Sequence, residues 1–482
     1  MASSSTGPSG TMVESTPIRQ VPIKLRTSQS TLSIPDVPYL VPTTWRRTQL
    51  STLVNRLLQQ GVNDEDTAAA TKSIPFDFII DGQLLRVSLD QYLQSKELTE
   101  ESTLEIEYVR STLPPTFTAA FEHDDWIGGI DASRKGYFLT SSYDGTLRVY
   151  GSSATEKPIN TFRPTETASL TNVCWLNDSP SSSRLAVAGM DGALRICNLP
   201  TAEAGEEVLP ASLESLSYTN AFDTTMPLSS VSVNSIGDTL ATAGWDGCVA
   251  IWDAAQSGDV DGDDDRTSKR RKGVKGSSVA GKVPSKKPLS LLWHSTPVSG
   301  LERMPNTNAR LANAVWNEKR SVISAGWDGA VRGWDISTAS CTSTKTSDKV
   351  ILALDAMSGQ DLAVTGQMDR TAALWDLRSQ TTNISLSFAH SAPVGSVRAH
   401  PTSSLLFVSG SYDGLVRLWD TRSPRAPLFS LVRPSGDMQD AEQKKKILAL
   451  DWDPTGQTVV AGGEDCRLTV HHGHGIGRED SA

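Results

Sequence analysis

Residues 242–253 read TAGWDGCVAIWD, and residues 324–335 read SAGWDGAVRGWD. In each, a run of small residues stops at Asp-Gly, and an alternating apolar run ending in Trp-Asp follows. That pattern predicts a strand, a tight turn and a second strand. Asp tolerates the turn and bonds back to backbone amides, while Gly supplies a positive φ. The same grammar recurs in TSSYDGTLRVY (140–150), VAGMDGALRICN (187–198), VTGQMDRTAALWD (364–376), VSGSYDGLVRLWD (408–420) and AGGEDCRLTVHH (461–472). One hairpin is used seven times.

The turn aspartates are Asp144, Asp191, Asp246, Asp328, Asp369, Asp413 and Asp465. Their successive separations are 47, 55, 82, 41, 44 and 52; a four-stranded propeller blade repeats at roughly 40–45 residues, and no common helical repeat fits the pattern. The Trp-Asp endings and the seven copies resemble WD repeats, which implies an all-β seven-bladed propeller over residues 116–475. Seven carboxylates confined to equivalent turns read as scaffold rather than as a catalytic set. The last repeat ends too near the carboxyl terminus to supply an outermost strand, so TFTAAFEH (116–123) is expected to pair with it and close the ring. The long interval between Asp246 and Asp328 holds an insert, 256–288, whose acidic, then basic, then Gly/Ser/Pro-rich composition predicts disorder. From Asp259 it superficially matches a calcium loop, but Asp264 stands where Gly is needed and Arg270 where Glu is needed. The run Lys269, Arg270, Arg271, Lys272 instead suits a nuclear import signal.

The bulk numbers bound the function. At 482 residues the chain has room for two or three units, and its net charge of -10 argues against broad gripping of nucleic acid phosphates. Five well-separated cysteines without a C-x-x-C pair point to reduced thiols. Neither a signal peptide nor a run of about 20 apolar residues is present, so a soluble intracellular protein with no membrane partner is expected. There is no Ser/His/Asp signature, H-E-x-x-H motif or phosphate loop, which favours a non-enzymatic protein. HHGHG (471–475) is a weak metal signal without an evident orienting shell.

Residues 20–110 follow a different pattern: two strands, the amphipathic TQLSTLVNRLLQQ, a hairpin in FDFIIDGQLLR, a short helix in VSLDQYLQSKEL and a last strand in TLEIEYVR. The order β-β-α-β-β-α-β is that of an α+β ubiquitin-like β-grasp domain, flanked by a disordered tail (1–19) and a linker (111–115), with a further tail at 476–482. The strings PFDFIIDGQLLRVSLDQYL and LEIEYVRSTLPP, placed immediately before a seven-bladed propeller, resemble the WD-repeat ribosome-assembly family of the Pescadillo/block-of-proliferation complex. Notchless-type adaptors share the general arrangement with eight blades, and a ubiquitin-pathway substrate receptor is the other alternative.

The resemblance implies a nuclear factor, nucleolar and nucleoplasmic, for the large (60S) ribosomal subunit and its rRNA maturation. It implies that the propeller binds a block-of-proliferation-type WD-repeat protein, and Pescadillo through it. The ubiquitin-like domain would dock on the metal site of the ATPase midasin, for ATP-driven release from the pre-60S particle. No intrinsic cofactor is expected; the magnesium belongs to midasin. The family's Glu-x-(Ser/Thr)-Leu pattern puts the metal-ligating role on Glu101, with Glu100 the runner-up. For the propeller, residues before the turn aspartates, notably Trp245, Trp327 and Tyr412, are candidate partner anchors on one rim. Asp131, Asp355 and Asp451, at similar places in GGIDAS, LALDAM and LALDWD, are candidates to receive a basic residue from the partner.

Overall fold

The computed structural model describes residues 19–27, 32–60, 74–99, 102–152, 157–164, 168–176, 184–199, 212–217, 225–254, 287–294, 310–317, 321–359, 361–379, 384–434, 445–474 and 476. The chain divides into two compact units, with the boundary between Ser111 and Thr112.

In the first unit, β1 (Gln20–Arg26), β2 (Tyr39–Pro42), α1 (Arg47–Gln60), β3 (Phe76–Ile80), β4 (Gln83–Leu84), α2 (Leu89–Ser95) and β5 (Leu104–Arg110) follow in order. The sheet order is β2-β1-β5-β3-β4, so the last strand lies in the middle. It runs parallel to β1 and antiparallel to β3. The period-two pattern of β5 buries Leu104, Ile106 and Tyr108 on one face, against Leu50 and Val54 of α1. The β3–β4 turn is Asp81-Gly82, both at positive φ (51° and 67°), as a two-residue hairpin of this hand requires. Ser88 and Gln91 form a capping box that starts α2.

In the second unit, the described strands form seven four-stranded antiparallel sheets. Six follow the chain strand by strand. The seventh takes its outer strand from β6 (Thr116–Glu122), which pairs with Arg467–His472. The inner strands are Ile127–Asp131, Leu170–Trp175, Leu228–Val233, Leu311–Asn317, Ile351–Ala356, Val394–Ala399 and Ile447–Trp452. Each packs against the next, and the last packs against the first, so the ring is closed. The insert falls between the third and fourth strands of blade 3, Cys248–Asp253 and Ser290–Trp293, and most of it, including Lys269–Lys272, lies outside the described residues.

The turn chemistry holds in every blade. The aspartate carboxylate accepts the backbone N–H two residues on, from Thr146, Ala193, Cys248, Ala330, Thr371, Leu415 and Arg467, at 2.7–3.4 Å. In the two turns that lack Gly, Arg370 (φ 71°) and Cys466 (φ 57°) adopt the left-handed conformation themselves, so backbone geometry is kept at the cost of local strain. The four Trp-Asp tryptophans, Trp252, Trp334, Trp375 and Trp419, are buried. Each indole donates to a Ser or Thr hydroxyl on the neighbouring strand, at 2.7–3.0 Å. A large ring is thus buried without orphaning its N–H.

Closure rests on β6. Leu468 pairs with Phe121, which packs its ring 4.5 Å from that of Tyr150 in blade 1. The N–H of His123 donates to the carbonyl of Cys466 at 2.8 Å, and Arg467 meets Glu122 at 2.7 Å. Phe121 therefore contributes to blades 7 and 1 together. Phe121→Ala is expected to cost about 3–5 kcal/mol, the range for emptying a buried aromatic site; urea unfolding followed by tryptophan fluorescence measures it, and a loss below about 1 kcal/mol would show that the ring closes without this strand.

Candidate functional site

Glu100 and Glu101 lie outside the described residues. The described residues on either side are tied together: the Ser102 hydroxyl donates to the Thr99 carbonyl at 2.7 Å. Two residues further on, β5 begins as the central strand of its sheet. Of the flanking acids on that strand, Glu105 faces Arg26 at 3.1 Å, an exposed pair of small energetic weight.

The channel acids prove to be occupied within the chain. The Asp131 carboxylate accepts the N–H of Trp175 in the next blade at 2.6 Å, Asp355 accepts that of Ala399 at 2.8 Å, and Asp451 accepts that of Ala132 at 2.7 Å. Each acid thus latches one blade to its neighbour. The basic residue received by two of them is also internal. Arg398 lies 3.4 Å from Asp451 and 3.7 Å from Asp355. The expectation that Asp131, Asp355 and Asp451 receive a partner's cation is therefore corrected. They are largely buried, their lone pairs are committed to amides of adjacent blades, and Arg398 already fills the position between two of them. Arg398 occupies in its strand the register that Asp355 and Asp451 occupy in theirs. Lining up GSVRAH with LALDAM and LALDWD would have shown it.

Burial pushes the Asp355 and Asp451 carboxyls upward, Asp451 to about 7, and the Arg398 charge pulls against that rise. Burial opposes the Arg398 charge in turn, but Asp451 and Asp355 outweigh it and hold the guanidinium ionised above its ordinary range.

The rim residues are placed together. The backbone N–H groups of Tyr143, Met190, Trp245, Trp327, Met368, Tyr412 and Glu464 donate to the carbonyls of Trp126, Ser169, Pro227, Arg310, Val350, Pro393 and Lys446, one per blade, each just ahead of its inner strand. The turns and inner-strand entries therefore share one face of the ring. On it, the Arg310 guanidinium lies 3.4 Å from the ring centroid of Trp245 and 4.6 Å from that of Trp327, joining two of the sequence candidates. Tyr412 stacks with a different cation, its ring centroid 5.7 Å from the Lys446 ammonium. Sequence reasoning missed Arg310 because nothing in its own blade's hairpin marks it.

The histidines are structural. His294 bridges Asp328 (3.0 Å) and Ser324 (2.6 Å), whose hydroxyl also receives the Trp334 indole. His390 makes the corresponding bond to Ser409 at 2.7 Å but turns its other nitrogen to the Phe388 carbonyl, because Ser391 and Arg417 occupy the Asp413 carboxylate. His472 Nδ1 meets the Thr458 hydroxyl at 3.1 Å. No group of three or more His, Cys, Asp or Glu residues converges on a metal position among the described residues. No helix among them is long and apolar enough to cross a membrane.

These groups give the propeller opposing pH dependences. Burial lowers His123 to about 3 and His390 to about 4, and lowers His294, His400 and His471 as well. Their stabilisation is complete above the ordinary histidine value and is lost as pH falls from about 6.5 toward 4, by at most about 1.4 kcal/mol per pH unit for each group. Asp451, raised in the folded state, acts oppositely: its contribution is full below the ordinary aspartate value and disappears as pH rises toward 7. Thermal melts from pH 7.5 to 4.5 should therefore show net acid destabilisation, with a steeper slope for Asp451→Asn, which lacks the offset. An unchanged slope would contradict this assignment of the buried carboxyl.

Comparison with known proteins agrees with the architecture. The NLE (NUC135) domain matches residues 21–93, and the WD domain, G-beta repeat, matches residues 115–151, 219–253, 382–420 and 439–472. The chain is 33% identical to ribosome biogenesis protein YTM1 of Laccaria bicolor over 472 residues, covering 94% of this chain and 95% of that one. It is 32% identical to the proteins of that name from Coprinopsis cinerea, with 88% and 89% covered, and from Aspergillus oryzae, with 98% and 99% covered. Likeness at this level across both units makes the chain a member of the YTM1 family of ribosome biogenesis proteins.

Proposed function

We propose that the protein is a non-enzymatic assembly factor for the large (60S) ribosomal subunit, working in the nucleolus and nucleoplasm. In this reading the propeller holds a block-of-proliferation-type WD-repeat partner, and Pescadillo through it. The N-terminal unit presents Glu101 to a magnesium ion held by midasin, whose ATP-driven force releases the factor from the pre-60S particle. The chain supplies no cofactor of its own. The run Lys269–Lys272 serves nuclear import. Membership in a family of ribosome biogenesis proteins, over nearly the whole of each chain, supports the assembly role.

The observation that carries the docking role is the place of the strand after Glu101. Magnesium takes hard oxygen ligands in near-octahedral geometry, and an open position on a bound ion accepts one carboxylate from another protein. A ligand that must also bear tension has to be anchored in something that does not peel away. The strand β5 begins three residues after Glu101, is central in its sheet, and is hydrogen-bonded on both sides to β1 and β3. Tension entering it along its axis loads two ladders together rather than opening one bond at a time. Its Leu104, Ile106 and Tyr108 side chains fix it in the core.

The test is capture of the full chain by midasin's metal-ion-dependent adhesion domain in magnesium and in chelator. Glu101→Ala is expected to reduce magnesium-dependent capture at least tenfold, and Glu101→Asp, one methylene shorter, to reduce it less. Loss with Glu100→Ala and not with Glu101→Ala would transfer the role to Glu100. Undiminished capture by both variants would remove the assignment.

A further inference from the structure

The rim of the propeller holds a cation, Arg310, whose hydrogen-bonding capacity is unused among the described residues. Among the described residues Arg310 makes no side-chain hydrogen bond and no ion pair; its guanidinium contacts are the Trp245 and Trp327 rings. Arg398, Arg417 and Arg422, by contrast, all face carboxylates. Stacking satisfies the faces of a guanidinium and leaves its N–H edge, five donors in a rigid plane, without acceptors. The buried indole N–H of Trp245 also finds no acceptor among the described residues. Two adjacent components therefore carry surplus donors.

The surroundings are those of a built site. The rings of Tyr143, from blade 1, and Tyr412, from blade 6, lean over inner-strand glycines of their own blades. A Cβ on Gly128 would stand 3.1 Å from the Tyr143 ring, and one on Gly395 would stand 2.5 Å from that of Tyr412. Both glycines line the central channel. Burial raises both tyrosine hydroxyls, and the Arg310 charge pulls each back down. Burial also disfavours the Arg310 charge itself, which leaves it in want of an anionic neighbour. On the same rim Trp327 is 41% and Met368 50% exposed, giving apolar surface around a polar centre.

Two anions match a guanidinium edge, a carboxylate and a phosphate. The rim favours the first. A nucleic acid strand needs a track of several free cations, because affinity comes from neutralising successive phosphates. Of the seven residues that enter the inner strands here, Arg310 and Lys446 alone are basic, and Lys446 is paired with Glu464 at 3.5 Å. Lys349, beside the blade 5 entry, is paired with Asp348 at 2.9 Å. A single guanidinium in an aromatic setting, unpaired among the described residues, fits a single carboxylate.

We propose that this channel mouth is a docking site for an acidic peptide segment of a protein partner, one Asp or Glu of which meets the N–H edge of Arg310 while its apolar neighbours cover Trp327 and Met368. The inference rests on the reading of the propeller as the partner-holding module and adds the face, the anchor and the chemistry of the ligand.

Random-peptide display on the full chain tests it, with Arg310→Gln and Arg310→Lys selected in parallel and circular dichroism and melting temperature checking that each variant stays folded. The wild type is expected to enrich peptides with Asp or Glu at one fixed position, at least tenfold over the input. Replacing that residue by its amide should weaken binding at least tenfold, and a bound peptide should change tryptophan emission. Both Arg310 variants should lose the enrichment, because lysine keeps the charge but not the planar fork. Absence of acidic enrichment, or the same enrichment by Arg310→Gln, overturns the proposal. So does Arg310-dependent binding of a single-stranded oligouridine tighter than that of any selected peptide, which would assign the rim to RNA. Magnesium-dependent capture of Arg310→Gln by midasin's adhesion domain separates failure here from failure of the N-terminal assignment.

Discussion

The pairing of Thr116–Glu122 with Arg467–His472 is the constraint on which the propeller depends. Blade 7 has three strands of its own at the carboxyl-terminal end, and an unpaired third strand would leave an open edge. The fourth strand comes from the residues just after the N-terminal unit, so the two ends of the ring are joined by six residue pairs rather than by a covalent link. Once the ring is closed, the inner strands pack in a complete cycle and one face collects all seven turns.

Carboxylates serve three different ends in this chain, and the described ones differ in which groups engage their lone pairs. The turn aspartates fold back on their own hairpins. The channel aspartates bind the amides of the next blade, two of them with Arg398 as well, which makes them inter-blade latches in a site where an unpaired charge would be costly. Glu101 stands ahead of the middle strand of a separate sheet, with a binding role proposed for it. Cations divide in the same way. Arg398 is satisfied from within and stabilises the ring, whereas Arg310 is stacked on indoles and meets no acceptor among the described residues.

Much of this was legible in the sequence because its signals are local. Asp-Gly turns, strand alternation and Trp-Asp endings specify a hairpin without reference to anything distant, and the count of hairpins predicts the ring. The closing strand was legible too, since three strands in the last blade require a fourth. The reading failed where contacts cross blades. Asp131, Asp355 and Asp451 were grouped because they are alike, while their counterpart Arg398 was passed over because it is opposite in charge, although it shares the register of Asp355 and Asp451. Arg310 lies in blade 4, while one of the two indoles it stacks on, Trp245, belongs to blade 3, and sequence spacing does not reveal such an encounter. His390 resembled His294 in context, but Ser391 competes for the turn aspartate and redirects it.

Native-state hydrogen exchange of the full chain tests the closure most directly. If β6 holds the ring shut, the amides of 117–122 exchange only through the same opening that exposes the strands 458–463 and 467–472, with equal free energies of exchange and equal denaturant dependence. Exchange of 117–122 by an independent, lower-energy opening, while 458–463 and the inner strands remain protected, would contradict the account.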